Sequence, residues 1–343
     1  MGSVKDLTVL EAPTREYPGR GRFSFSDRYS VFDWGEMPDH IAQKGAALCI
    51  TAAYFFEKLE KLGILTHYLG LVEDNKVKSL SEINKPVYIL ENKLFRVLYP
   101  ELKKDNTYSY KIYLQEKGNY LIPLEIIYRN AIPKGSSVFK RLREGALRLK
   151  ELGLSKMPEE GMELKRPYLD VSTKLEATDR YITWQEAQDM SQLSDKKMGE
   201  MNAITLRINQ MISKEAQKVG LKNDDGKFEF ALDHIQNIVL VDVLGTLDEC
   251  RFTYRGMPVS KEIARLYYRK SKWYQEIVKA KEKDHTHWKR LVNTGPEPLP
   301  DRLKLLISRV YCAFTNEITK KEWFKDIPPL SDILEEIQDF IKV

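Results

Sequence analysis

A chain of 343 residues, 42% of them hydrophobic, can bury a substantial core and is long enough for two or three structural units. Its 55 basic and 50 acidic residues leave a net charge of +5 with no long block of one sign, so composition does not demand nucleic acid; a few converging Arg and Lys suffice to draw a small anion into one cleft. No apolar stretch is long enough to span a bilayer, the first residues lack the apolar centre of a secretion signal, and the widely spaced Cys49, Cys250 and Cys312 fit neither a disulfide framework nor a zinc site, so the default expectation is a cytoplasmic globular protein acting without membrane or nucleic acid.

Residues 7–10 and 22–26 read as the strands of a β-hairpin whose loop carries Pro13, Pro18, Gly19 and Gly21. Apolar positions at helical spacing over 46–62 stop at Gly63, which predicts a helix with a glycine stop. Strands are expected at 87–90, 94–98, 108–114 and 124–128, the third from the alternation of Tyr108, Tyr110, Ile112 and Leu114, and an antiparallel sheet follows. Thr183 with Glu186 fits a capping box. Ser194 opens a long helical pattern through Met198, Met201, Ile204, Ile208, Met211 and Ile212, in which the methionines read as core filler. Residues 227–231 and 238–242 read as two strands, with Lys227 and Glu229 on one face of the first and Phe228 and Phe230 on the other. From 260 the chain turns helical, breaks at 294–300, resumes over 303–314 and ends in a helix from about 331. Tyr267, Tyr268, Trp273 and Tyr274 fit packing onto the body better than stacking on bases, and His285, Thr286 and His287 read as surface.

Four stretches concentrate chemistry. Asp27, Arg28, Tyr29, Ser30, Val31, Phe32 and Asp33 place two carboxylates and a guanidinium just after a strand, with Lys44 and Gly45 downstream; on the residues alone, a surface turn with local ion pairs explains them. The segment from Pro123 and Glu125 to Arg129 leads off a strand into Gly135, Ser136, Lys140 and Arg141, a guanidinium followed by a turn that suits phosphate or carboxylate, or equally a solvated basic turn. Lys227, Glu229, Asp242, Asp248 and Arg251 gather carboxylates at adjacent strand ends with a lysine beside them, as a magnesium-triphosphate needs, because hard cations take oxygen ligands. Ser172, Thr173, Lys174, Leu175 and Glu176, with Asp179 and Arg180, form by themselves an ordinary polar loop.

In this order the four stretches resemble the signatures of the SAICAR synthetases. Those read Asp-Arg-Ile-Ser-Ala-Phe-Asp with a later Lys-Gly; Pro-hydrophobic-Glu-Val-Val-Arg-Asn with a later Gly-Ser and Lys-Arg; and Asp-Phe-Lys-Leu-Glu-Phe, a strand ending in Asp-Glu, and Pro-Asp-x-x-Arg. Here Asp225, Lys227, Glu229, Phe230, Asp242, Asp248, Arg251 and Phe252 occupy the third set, and the likeness runs over roughly residues 7–255. The resemblance implies an α+β, ATP-grasp-like two-lobed fold with an N-terminal antiparallel β unit over 1–120, a central nucleotide- and ribotide-binding unit over 121–258, and a helical extension over 259–343. It implies ligation of L-aspartate to carboxyaminoimidazole ribotide through an acyl phosphate, with ATP and Mg²⁺ as cofactors and ATP between the first two units. By the same resemblance Lys227, Asp242, Arg251 and Lys174 would be catalytic, while Arg129, Ser136, Arg251, Asp27, Arg28, Ser30, Asp33 and Lys44 would hold substrate. Arg20, Arg22, Glu125, Lys227 and Glu229 would contact the nucleotide, and Glu229, Asp242 and Asp248 would ligate the metal.

Two departures stand out. Gly19, Arg20, Gly21 and Arg22 run straight into a strand where the family has a separate Gly-Lys-x-Arg loop, and Asp242-Val243 and Leu247 replace an acidic pair and a proline. A phosphotransferase acting on another anionic metabolite and a nucleotide- or RNA-binding module without turnover remain the alternatives, and assembly into a homo-oligomer stays open.

Overall fold

The computed structural model describes residues 4–259, 261–284 and 287–342; His285 and Thr286 lie outside the described residues. The N-terminal hairpin pairs β1 (Lys5–Glu11) with β2 (Gly19–Phe25), and α1 (Lys44–Lys61) follows. With β3 (Tyr68–Glu73), β4 (Lys76–Lys78) and β5 (Ile89–Leu94), the hairpin forms a five-stranded antiparallel sheet in the order β1-β2-β5-β3-β4, which leaves β1 at an edge. A short ladder, β6 (Glu101–Leu102) with β7 (Tyr108–Ser109), leads to the second sheet. There β8 (Tyr120–Ile132), α2 (Ser137–Arg143), β9 (Met162–Thr173), α3 (Trp184–Ser191), α4 (Asp195–Lys218), β10 (Lys222–Leu232), β11 (Ile238–Val241), β12 (Cys250–Tyr254) and β13 (Met257–Pro258) follow in turn. The strands order as β13-β12-β10-β8-β9, with β11 also on β10. Four helices close the chain: α5 (Glu262–Tyr268), α6 (Lys272–Lys283), α7 (Asp301–Thr319) and α8 (Leu330–Lys342). No helix of the described residues is long and apolar enough to cross a membrane.

The local signals explain several of these boundaries. The Thr183 hydroxyl accepts from the Glu186 amide at 3.1 Å, and the Ser194 hydroxyl accepts from the Lys197 amide at 3.3 Å, so each satisfies a donor that the first turn leaves free. Along α4 the buried Met201, Ile208 and Ile212 recur at helical spacing and cover the apolar face of β10, where Phe228 and Phe230 point. Two expectations change. The strands expected at 87–90 and 94–98 are one strand, β5, and past it Arg96 makes only an isolated bridge to Tyr120. The alternation over 108–114 continues as a 3₁₀ turn over Lys111–Gln115, because burying Tyr113 and donating its hydroxyl to the Leu98 carbonyl (2.6 Å) draws the odd residue inward and leaves Ile112 and Leu114 exposed.

Besides the Arg96–Tyr120 bridge, the two sheets are joined at the entry to β3. The Leu240 amide donates to the Leu65 carbonyl at 2.9 Å and the His67 amide donates to the Leu240 carbonyl at 3.0 Å, so β11 is held by the segment entering β3. A continuous apolar core runs from α1 through both sheets to α7 and α8, and the hydroxyls of Thr51 and Thr315 meet at 2.9 Å where α1 crosses α7. One polar network interrupts it: Asn209 of α4 exchanges amide hydrogen bonds with Asn130 (2.8 and 2.7 Å) and accepts from Asn223 (3.1 Å), locking α4 to β8 and β10. Replacing Asn209 by Ala removes its three hydrogen bonds to Asn130 and Asn223, so urea denaturation should show a loss of about 1–3 kcal/mol; an unchanged midpoint would mean that the network contributes nothing to docking α4.

Candidate active site

Strand β10 is the spine of the site. Its apolar side chains face α4, while Lys227 and Glu229 point the other way into charged neighbours. Gly226, between Asp225 and Lys227, has no room for a side chain: a Cβ there would lie 2.5 Å from the Tyr128 hydroxyl. The Tyr128 ring on β8 thus packs against the bare backbone of Gly226 opposite it, and the strands stay close enough for their polar faces to interlock.

On that face Glu125, Lys174, Lys227 and Glu229 converge. The Lys174 ammonium donates to Glu125 Oε1 at 3.0 Å and to Glu229 Oε1 at 2.7 Å, and Lys227 donates to the same Glu125 oxygen at 2.7 Å and lies 3.8 Å from Glu229. Cross-strand register explains it, since Glu229 is opposite Glu125 on β8 and Glu125 is opposite Ser172 on β9. Burial penalises every one of these charges. For Glu125 the two lysines outweigh burial and hold the carboxyl below the usual range, and for both lysines the surrounding carboxylates outweigh it and raise them. Glu229 goes the other way: burial, with the charge of Asp242 beside it, pushes its carboxyl up to about 7.

Asp242 follows β11, whose last residue, Val241, is opposite Glu229. It holds a left-handed backbone (φ 64°), a conformation that aspartate tolerates better than most residues. Two groups of the N-terminal sheet region grip it: Lys5 of β1 pairs with its carboxylate, and His67 Nε2 donates to its carbonyl at 2.9 Å. Burial raises the Asp242 carboxyl, but Lys5 overrides that and keeps it below the usual range. His67 is pushed down to about 4 by burial, so it is a neutral donor here.

A second charge system sits beside the first. Arg129, almost wholly buried, reaches Asp170 and Asp225 at 3.2 Å each and the Tyr181 hydroxyl at 3.0 Å, while Arg251 Nε meets Asp225 at 2.7 Å. Arg141 also pairs with Asp170 and stacks 4.1 Å from the centre of the Tyr181 ring. A cavity of about 360 Å³ opens between the two systems, lined by Glu125, Arg129, Asp225, Lys227 and Arg251 and, from the C-terminal helices, Lys261 and Arg265. A larger cavity of about 770 Å³ lies past Arg251, toward Lys222, Asp224 and Arg269.

The structure brings together Glu125, Lys174, Lys227 and Glu229, joins Asp242 to them, and sets Arg129 and Arg251 alongside. Other expected ligands have structural partners instead. Asp27 accepts from the Gly45 and Gln43 amides (2.9 and 3.2 Å) and so fixes the start of α1. Arg28 pairs with Asp6 at 2.6 Å, Ser30 sits in the loop between β2 and α1, and Asp33, largely exposed, meets Lys281 of α6 at 3.0 Å. Lys44 and Asp248 pair with each other at 2.7 Å, and the Tyr311 hydroxyl donates to the same carboxylate at 2.6 Å, so Asp248 has structural partners although it borders the cavity. Ser136 caps α2 at the Val138 amide (3.4 Å); the hydroxyl near Arg129 is that of Ser137, 3.4 Å away. Arg20 pairs with Glu11 at 2.7 Å and Arg22 with Glu91 at 2.8 Å, both within the N-terminal sheet. Sequence reasoning missed Lys5, His67, Asp170 and Tyr181. Of these Asp170 alone carried a usable signal, as a carboxylate just before the noted Ser172-Thr173-Lys174 run.

The SAICAR synthetase family profile matches residues 13–281. An Archaeoglobus fulgidus protein, provisionally named a phosphoribosylaminoimidazole-succinocarboxamide synthase, is 48% identical over 342 residues and is covered, like this chain, over 100% of its length. A Thermoplasma volcanium protein named as that synthase is 32% identical over 88% of this chain and 93% of its own. The fold is similar to that of a Saccharomyces cerevisiae SAICAR-synthase complexed with SAICAR (TM-score 0.63, 19% identity, 94% of each chain) and of a SAICAR synthetase in complex with ADP (TM-score 0.55, 21% identity, 87% of this chain and 99% of the other). The shared profile, the full-length relative and the common fold place this chain in the SAICAR synthetase family.

Proposed function

We propose that this chain joins L-aspartate to carboxyaminoimidazole ribotide at the expense of ATP, a step of purine biosynthesis. The observation that carries the reading is the pairing, on one face of β10, of the Glu125-Lys174-Lys227-Glu229 cluster with the Arg129-Asp225-Arg251 cluster across a single cavity. The first has the lysines that a triphosphate needs, and the second has the guanidiniums that a phosphorylated substrate needs. A ribotide carboxylate oxygen attacks the γ-phosphorus and ADP leaves; the aspartate amine then attacks the acyl carbon, phosphate leaves, and the amine loses a proton. Activation is necessary because a carboxylate becomes a usable electrophile only when one oxygen can depart.

Among the described residues no three His, Cys, Asp or Glu gather as a metal cage. A pair of converging carboxylates nevertheless fits Mg²⁺, which is usually held by one or two carboxylates together with water and substrate phosphates. Glu229 and Asp242 would hold it, and it would offset charge on the transferring phosphoryl group. Lys227 and Lys174 neutralise phosphate oxygens from the strand and from the loop after β9, and Arg129 and Arg251 orient the ribotide, held ready by Asp170 and Asp225. ADP release should therefore be rapid only with ATP, Mg²⁺, ribotide and L-aspartate together. Equal release without aspartate would indicate a phosphotransferase.

Asp242→Asn should lower turnover by orders of magnitude in a folded protein, and near-normal rates at saturating magnesium would contradict the ligand assignment. Arg251→Ala is the cleaner arginine test, since Arg251 is partly exposed whereas removing Arg129 would leave Asp170 and Asp225 buried with less compensation. Losing this charge-assisted contact should raise half-saturation for ribotide roughly tenfold to a hundredfold, about 1.5–3 kcal/mol, and leave that for ATP nearly unchanged. A larger loss for ATP would assign Arg251 to the nucleotide.

Glu229 gives a pH signature to the metal-free protein. Its folded pKa, about 7, lies above that of an unfolded carboxyl, so its contribution to stability is present at low pH and is lost as pH rises toward and through 7. Glu229→Gln should therefore gain stability relative to the parent between pH 5 and pH 8, read as urea midpoints in chelator, and a constant difference would mean that Glu229 titrates normally.

A further inference from the structure

Lys5 is a lysine of the N-terminal sheet that reaches into the polar face of the central sheet. It is the first residue of the edge strand β1, opposite Phe25 of β2, and its ammonium lies 5.1 Å from the centre of the Phe23 ring. Its side chain is 17% exposed and pairs with Asp242 Oδ1, whose side chain is 21% exposed, across 237 residues of sequence. The other cations of the face, Lys174 and Lys227, bind Glu125 and Glu229 and act on Asp242 only from a distance, so Lys5 is the cation in direct contact with this carboxylate. Arg20 and Arg22, in the segment where the chain departs from the family's glycine loop, pair instead with Glu11 and Glu91.

We propose that Lys5 is a positioning residue that fills the cation position at Asp242, so that a divalent ion and the Lys5 ammonium compete for the same carboxylate oxygen and metal binds well only with the phosphates that accompany it. The inference rests on the metal role proposed above for Asp242. A largely buried carboxylate needs a positive partner, and a tethered ammonium supplies one without any free metal. With a metal-triphosphate held by Asp242, the Lys5 ammonium would leave that carboxylate and face the phosphate oxygens. The exchange would link the N-terminal strand, through Lys5, to loading of the central sheet, while His67 goes on holding the Asp242 carbonyl.

Mn²⁺ binding to the full-length protein without nucleotide, followed by the resonance signal of free Mn²⁺, tests this. Lys5→Met should bind Mn²⁺ at least about tenfold more tightly than the parent, because a competing charge has been removed, while Lys5→Arg should stay weak. Lys5→Met should also lower the thermal midpoint in chelator, and Mn²⁺ should restore it. Equal or weaker Mn²⁺ binding in a folded Lys5→Met protein would overturn the proposal. If that variant does not fold, acetylation of Lys5 in the unaltered protein, read by mass spectrometry, replaces it: saturating Mn²⁺ should increase Lys5 labelling several-fold, and labelling insensitive to saturating metal would overturn the proposal. Asp242→Asn with Mn²⁺ and a non-hydrolysable triphosphate checks the metal role separately, since unchanged binding there would remove Asp242 as a ligand whatever Lys5 does.

Discussion

Buried charge must be compensated, and the polar face of β10 is organised around that requirement. Glu125, Glu229 and Asp242 are carboxylates withdrawn from water, each of which would cost several kcal/mol if left alone. Lys174, Lys227 and Lys5 supply the positive charges that offset them, from the loop after β9, from β10 itself and from β1. Neutrality therefore depends on parts of the chain that are remote in sequence, and the face cannot be completed until the N-terminal strand has docked. It also leaves Lys227 ionised at the cavity wall, as stabilisation of phosphate charge requires.

The arginine cluster obeys the same rule with a different result. Asp170 and Asp225 hold Arg129, Arg141 and Arg251 in fixed positions, and Tyr181 packs over two of the guanidiniums. Long side chains held in this way lose little further freedom when an anion arrives, so more of the contact energy is available for binding. The apolar side of the strand makes this possible, because Phe228 and Phe230 pack toward α4 and Gly226 admits the Tyr128 ring, which keeps β8 and β10 in register.

Several residues that resemble family ligands hold the scaffold in this chain. Asp27 fixes the start of α1, and Lys44, one of the most deeply buried residues, joins Asp248 and Tyr311 in a three-way contact among α1, the loop before β12, and α7. The C-terminal helices thereby brace the loop that leads from Asp242 to Arg251. They also bring Lys261 and Arg265 to the cavity, a contribution of the extension that the resemblance over roughly residues 7–255 did not contain.

Where the pattern is local, the sequence was sufficient. The caps at Thr183 and Ser194, the helical spacing of α1, α4 and α7, and the alternation that turns Lys227 and Glu229 away from Phe228 and Phe230 follow from backbone geometry that repeats every two or 3.6 residues. The residues that meet across the cavity were also legible as ordered landmarks, because their types and spacing match a family that shares the fold. Elements without a periodic signature were not: β9 runs Met-Glu-Leu-Lys-Arg-Pro before its buried end, and β3 and β4 are short. Nor was it visible which charge pairs with which. Lys44 with Asp248 and Lys5 with Asp242 are joined across 204 and 237 residues, and a lysine looks the same in sequence whether it binds a ligand or an internal carboxylate. Sequence by itself determined the strands, helices and faces on which local geometry repeats; the tertiary structure alone decided the pairings, because a buried charge takes whatever partner the meeting of distant strands and helices places within reach.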